Sequence, residues 1–176
     1  MLLGTDSRAF GPPFDIITID IVETLRGPAL GRLSFCNAPQ AHTERHCQGR
    51  SAGQLLDLAW AVLETFFATG EICKDLPVHA EGTAFQRLVW NELRTVRPGT
   101  TATYGQIAHR VGSPGAARAV GAACGSNPVA IFIPCHRVLD SRGDLHGYAG
   151  GIERKAALLT LEGMRGRTPM LFPTGV

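Results

Sequence analysis

Cysteine followed directly by histidine, in Ile133-Pro134-Cys135-His136-Arg137-Val138, is the arrangement in this chain best able to do chemistry. It closes an apolar run, Val129 to Ile133, which places a thiol at the end of a buried segment. Free cysteine has a pKa of about 8.5 and is a nucleophile only as the thiolate. A neighbouring histidine can serve as base or electrostatic partner. A lone Cys-His pair is more often a buried structural cysteine, so the weight falls on its surroundings.

The chain has 176 residues, 44% hydrophobic and 18% charged, as in an ordinary soluble protein of one or two small domains. No apolar run approaches the length of a membrane span. Met1 to Asp6 lacks a basic region leading into an apolar core, so no secretory signal is expected and the cytoplasm is the expected compartment. Five cysteines without a C-x-x-C argue for free thiols over a disulfide framework. Residues 1–80 carry six Lys/Arg against nine Asp/Glu, and residues 81–176 eleven against six. The half holding Cys135 is the basic one, which suits a polyanion such as nucleic acid.

The elements that must position Cys135 follow from periodicity. Residues 1 to 13, with Gly and Pro, read as a loose arm. Ile17, Ile19 and Ile21 alternate along one strand, Arg26-Gly27-Pro28 makes a turn, and Leu30 to Phe35 forms a second strand. Gln54 to Thr69 is an amphipathic helix stopped by Gly70. The connector 71–82 divides an N-terminal α/β domain, residues 1–80, from a second domain, residues 81–166, with a loose tail at 167–176. Thr83 caps a helix from Ala84 to about Arg94 whose buried face is Phe85, Leu88, Val89 and Leu93. Tyr104 to Arg110 and Gly115 to Cys124, joined by Val111-Gly112-Ser113-Pro114, read as a helix-turn-helix. Apart from Arg118, the second of these helices carries only small or apolar side chains. A glycine-containing loop follows, then a last helix from Ile152 to Glu162. The fold class is α+β: a small N-terminal antiparallel sheet with a helix, followed by an all-helical, winged helix-turn-helix-type domain.

Tyr104-Gly105-Gln106-Ile107-Ala108, Ala117-Arg118-Ala119-Val120-Gly121, Ser126-Asn127-Pro128-Val129-Ala130-Ile131 and the Cys135 hexapeptide resemble the O6-alkylguanine-DNA alkyltransferases, the methylated-DNA–protein-cysteine methyltransferases. Gly147-Tyr148-Ala149-Gly150-Gly151 and Leu161-Glu162-Gly163 continue the resemblance in order, over roughly residues 83 to 163.

The resemblance implies irreversible transfer of an alkyl group from O6 of guanine, and more weakly from O4 of thymine, to Cys135, once per molecule. His136 would be the base, acting through a water, with Glu162 fixing its tautomer and Asn127 bonding near the active turn. A carboxylate near a helix C-terminus is otherwise unfavourable, so Glu162 needs a partner. The partner implied is duplex DNA, bound through the minor groove by a monomer. Arg118 would fill the space left by a flipped base, with Ala117 beside it at the DNA. Tyr104 would push the phosphate or base aside and protonate the leaving guanine. Tyr148 would wall the pocket, where backbone groups of Val138, Ala149 and Gly150 read the guanine. No cofactor is implied, and no membrane.

Ala130 and Ala149 depart from the proline and serine of some members, and His146 puts a ring near the pocket entrance. A site for small alkyl groups, poorly inhibited by free benzylguanine, is expected. Cys124 is expected to pack, not react. Cys36, His42, His46, Cys47 and His79 lack the spacing of a standard zinc finger, so no metal is expected. The non-enzymatic alternative is a helix-turn-helix DNA-binding protein, but such proteins read the major groove with polar side chains that the alanine-rich helix lacks.

Overall fold

The computed structural model describes residues 1–36, 46–72, 76–145 and 147–164. His42, Cys73, His146 and the tail lie outside these.

Three ten-residue strands open the chain: β1 (Leu2–Gly11), β2 (Asp15–Thr24) and β3 (Gly27–Cys36). With β4 (His46–Cys47) they form an antiparallel sheet in the order β3-β2-β1-β4. The loose arm expected at residues 1 to 13 is therefore corrected to a strand. Its sequence hides this because the inward positions include Gly4 and Asp6. Pairing with β2, in a register running from Leu2 opposite Val22 to Gly11 opposite Asp15, supplies what alternation does not. Ile17, Ile19 and Ile21 are fully buried on the face covered by α1 (Arg50–Thr69), which starts four residues before the expected Gln54. Helix α1 ends at Gly70 in the left-handed region, φ 76°. A side chain there would strike the Leu161 carbonyl, so glycine lets the end of α1 touch the segment leading to Glu162.

The second half contains α2 (Ala84–Leu93), α3 (Tyr104–Arg110), α4 (Ala117–Gly125) and α5 (Ile152–Leu161). A two-residue parallel ladder of β5 (Ala102–Thr103) with β6 (Val138–Leu139) is the small sheet formed within this half by the described residues. Thr83 caps α2 as expected, in a reciprocal box with Gln86, and Thr103 with Gln106 does the same for α3. Leu88, expected inside, is 55% exposed, and Trp90 is buried instead. Val89, Trp90 and Leu93 share one side of α2, and Trp90 donates from its indole N–H to the Ala123 carbonyl at 2.8 Å, pinning α2 to α4.

One hydrophobic core runs through both halves. The outer edge of β3 is not left open. Leu30 N–H donates to Pro77 and His79 N–H to the Leu30 carbonyl. Leu33 N–H donates to Pro128 and Ala130 N–H to the Leu33 carbonyl. Covering an edge strand prevents association. Here it also moors residues 128–130, the lead-in to Cys135, to the sheet.

Candidate active site

Residues 127–137 wind tightly from that mooring. Ile131, buried and β-branched, sits at φ 69° with Phe132 N–H bonded back to the Ala130 carbonyl at 2.8 Å. This is the strained kind of γ-turn, worth about 1–3 kcal/mol that the surrounding structure must supply. A relaxed γ-turn follows at Pro134 (φ −81°, ψ 61°), closed by Cys135 N–H to the Ile133 carbonyl. The two turns wrap the chain around Asn127. Its side-chain amide donates to the Ile133 carbonyl at 2.8 Å and to the Cys135 Sγ at 3.0 Å. Its carbonyl accepts from Val129 N–H at 3.0 Å.

Cys135 begins a single 3-10 turn, Cys135–Arg137. Burial pushes its thiol up, while the Asn127 hydrogen bond and the Lys155 ammonium pull it down. His136 is fully buried, its Nε2 lying 2.9 Å from Glu162 Oε1. Its Nδ1 is buried without a hydrogen-bond partner. Burial lowers the imidazole more than Glu162 raises it, so the ring is neutral near pH 7. With Nε2–H donated to the carboxylate, Nδ1 carries the lone pair and can accept a proton.

Glu162, at the C-cap of α5, is 8% exposed. Burial would raise its carboxyl, but His136 and Arg137 outweigh it and hold the group below its usual range. Arg137 was not singled out in the sequence. It is 1% exposed, and its Nε (2.9 Å to Oε2) and Nη2 (2.6 Å to Oε1) grip the carboxylate while Nη1 donates to the Val96 carbonyl at 2.5 Å. Lys155 was also missed. It is fully buried, its Nζ donating to the Val138 carbonyl at 2.7 Å and lying 6.0 Å from the Tyr104 ring centroid. Burial lowers it, offset by the Cys135 thiol among others. A lysine at the fourth position of a helix reads as surface, so no local signal marks it.

A cavity of about 380 Å³ opens in front of Cys135. Its walls include Asn127, Tyr148, Ala149 and Gly150, with Phe35 of β3 and Arg154 of α5. Cys124 lines it too, a thiol pushed up to about 12, first by burial. Cys47, Cys124 and Cys135 are free thiols. Val138 is buried in β6 with its N–H donating to the Cys135 carbonyl, and it is not among the residues that line the cavity. Tyr104 opens α3, its hydroxyl 3.4 Å from the Gly147 carbonyl and its ring against Gly121 of α4. Burial first, then Cys124, Cys135 and Asp140, push the phenol up to about 12.

Arg118 is exposed in the first turn of α4, as are Ala119, Ala122 and Gly125 along the helix. Arg118, Gly121 and Gly125 fall at i, i+3 and i+7 on one side, so Arg118 stands about 10 Å along the axis from the cavity wall at Gly125.

Residues 84–164 match the family described as 6-O-methylguanine DNA methyltransferase, DNA binding domain. The methylated-DNA–protein-cysteine methyltransferase of Mycobacterium tuberculosis is 53% identical over 104 residues, spanning 58% of this chain and 62% of the relative. That of Shigella flexneri is 53% identical over 100 residues, spanning 57% and 58%. The chain thus aligns to less than two thirds of the length of these curated relatives. In structure it is similar to M. tuberculosis OGT in complex with DNA, with a TM-score of 0.71 and 38% identity over 90% of this chain and 91% of that one. The M. tuberculosis O6-methylguanine methyltransferase gives 0.71 and 35% over 92% and 94%. The chain belongs to the O6-alkylguanine-DNA alkyltransferase family.

Proposed function

We propose that this protein repairs alkylated DNA by direct reversal, moving a methyl or small alkyl group from O6 of guanine, and more weakly from O4 of thymine, to Cys135, once per molecule. The observation that carries this reading is the thiol itself: it is held by Asn127 on a cavity wall beside a neutral histidine that Glu162 orients.

The Cys135 proton passes through a bridging water to His136 Nδ1. The thiolate attacks the alkyl carbon in line. A sulfur–carbon bond forms, the carbon–O6 bond breaks, and its electron pair leaves on guanine. Tyr104 protonates the departing base; a phenol pushed up to about 12 stays protonated near neutral pH and is a donor there, not a base. Lys155 favours the thiolate electrostatically. The thioether is not cleaved, and the atoms balance without a cofactor.

The target atom lies inside a base pair, and extruding it costs a few kcal/mol. A minor groove about 6 Å wide suits the small outer face of α4, with Arg118 entering the vacated space. Tyr148, Ala149 and Gly150 wall the base, with Val138 contributing backbone behind them. The protein acts as a monomer on duplex DNA in the cytoplasm. None of its described helices is long and apolar enough to cross a membrane.

The test is repair of an O6-methylguanine duplex with protein limiting. Repaired lesions should equal protein molecules and then stop, and Cys135→Ser should repair none while still binding DNA. Continued turnover, or repair by the serine variant, would overturn the reading.

A further inference from the structure

Part of the cavity wall is built by the N-terminal half, from Arg32 to Phe35 of β3. Phe35 of β3 lines it, flanked by Phe14 with ring centroids 6.0 Å apart. Gly150 lies between Phe35 and Tyr148; a Cβ there would come within 2.7 Å of the Tyr148 ring and 3.1 Å of the Phe35 ring. One side chain ties these parts together. Arg154, in the first turn of α5, donates from Nε to the Pro13 carbonyl at 2.7 Å and from Nη1 to the Gly150 carbonyl at 2.8 Å. Its Nη2 donates to Asp15 Oδ2 at 3.0 Å. Its guanidinium carbon sits 5.3 Å from the Phe35 centroid, within cation–π range.

Asp15 has φ 52°, uncommon for a residue with a Cβ, and its carboxylate meets Arg154 across 139 residues of sequence. The planar fork of arginine can hold a turn, a loop carbonyl and a carboxylate at once; a lysine ammonium cannot reproduce that geometry. The Arg154 side chain is 11% exposed and Asp15 39%, so the guanidinium is shielded while the carboxylate end of the pair reaches solvent.

We propose that Arg154 is a positioning and specificity residue for alkyl transfer. It fastens the base-binding loop, Gly147 to Gly151, to the β1–β2 turn and to Phe35. The N-terminal sheet thereby sets how much room an alkyl group has in front of Cys135. This rests on the alkyl-transfer reading and gives the N-terminal half a part in it.

The test compares single-turnover rates on duplexes carrying O6-methylguanine or O6-benzylguanine. Wild-type protein must transfer from the first; if it does not, the alkyl-transfer reading fails and not this one. Arg154→Ala should slow methyl transfer by about tenfold, because the loop no longer holds the base in line. It should slow benzyl transfer less, so the methyl-to-benzyl rate ratio falls. Phe35→Ala should lower the same ratio. Arg154→Lys, which keeps charge without the fork, should recover only part of the rate. Asp15→Asn, which trims a single arm of the clamp, guards against a misfolded alanine variant and should shift the ratio in the same direction. Loss of stability alone lowers both rates together. An unchanged ratio in Arg154→Ala, or in Asp15→Asn should the alanine variant not fold, would overturn the proposal.

Discussion

Arg137 and Arg118 lie in the same half of the molecule and are held in opposite ways. Arg137 is 1% exposed, with its donors spent on Glu162 and Val96. Arg118 stands exposed on α4 among alanines and glycines. A buried guanidinium must be matched by charge and acceptors, or the fold is heavily penalised. An exposed one costs little and can wait for a polyanion. The first therefore belongs to the floor beneath the reactive turn, and the second, in the function proposed above, to the surface offered to DNA. Substitutions at the two places should separate cleanly.

The largest effect is expected at the floor. Glu162→Ala leaves Arg137 buried without its counter-charge and His136 without its orienting partner. Unfolding should cost about 3–5 kcal/mol less, and alkyl transfer should collapse with it. Thermal melts and single-turnover rates measure both. Retained stability would mean that Arg137 finds another partner and that the floor is less tightly built than its distances imply.

On the outer face the pattern should invert. Arg118→Ala should change stability by no more than about 0.5 kcal/mol. It should slow repair of duplex by about a hundredfold, yet leave reaction with a free alkylated base nearly unchanged, because only the duplex requires extrusion. Equal losses on both substrates would remove Arg118 from base flipping.

A smaller effect sharpens the contrast through pH. Burial holds His136 down, and the hydrogen bonds from His136 and Arg137 hold Glu162 down against burial. For both groups the stabilisation is complete above the unfolded pKa, about 6.5 and 4.3 respectively, and is lost as pH falls toward the folded value. Melting temperature should therefore decline from about pH 6.5 downward, equally in wild type and in Arg118→Ala, since Arg118 takes no part. Transfer should keep its rate to below pH 6.5. An acid limb centred above about 6.5 would contradict a neutral, buried imidazole.

Much of this was legible in the chain, for particular reasons. Ile17, Ile19 and Ile21 announce β2 because alternation is written directly into residue type. Glu162 was legible because a carboxylate at a helix C-terminus is unfavourable alone, and the structure gives it two donors, the neutral His136 ring and the Arg137 guanidinium. Strand β1 was not, because Gly4 and Asp6 face inward and only pairing with β2 makes them a strand. Leu88 misled because hydrophobicity marks what can be buried, whereas the angle around α2 decides that Trp90 is. Arg137, Lys155 and Arg154 were invisible for one shared reason. Their partners are carbonyls and carboxylates brought in from distant segments, Val96, Val138 and Pro13 among them. No spacing along the chain encodes such a meeting.

The most direct test of the whole account is peptide-resolved mass spectrometry of the intact protein after incubation with an O6-methylguanine duplex. The peptide containing Cys135 should gain the mass of one methylene unit, stably, while the peptide containing Cys124 stays unmodified. Protein that repairs the duplex with Cys135 unmodified, or that carries the added mass on Cys124 instead, would contradict it.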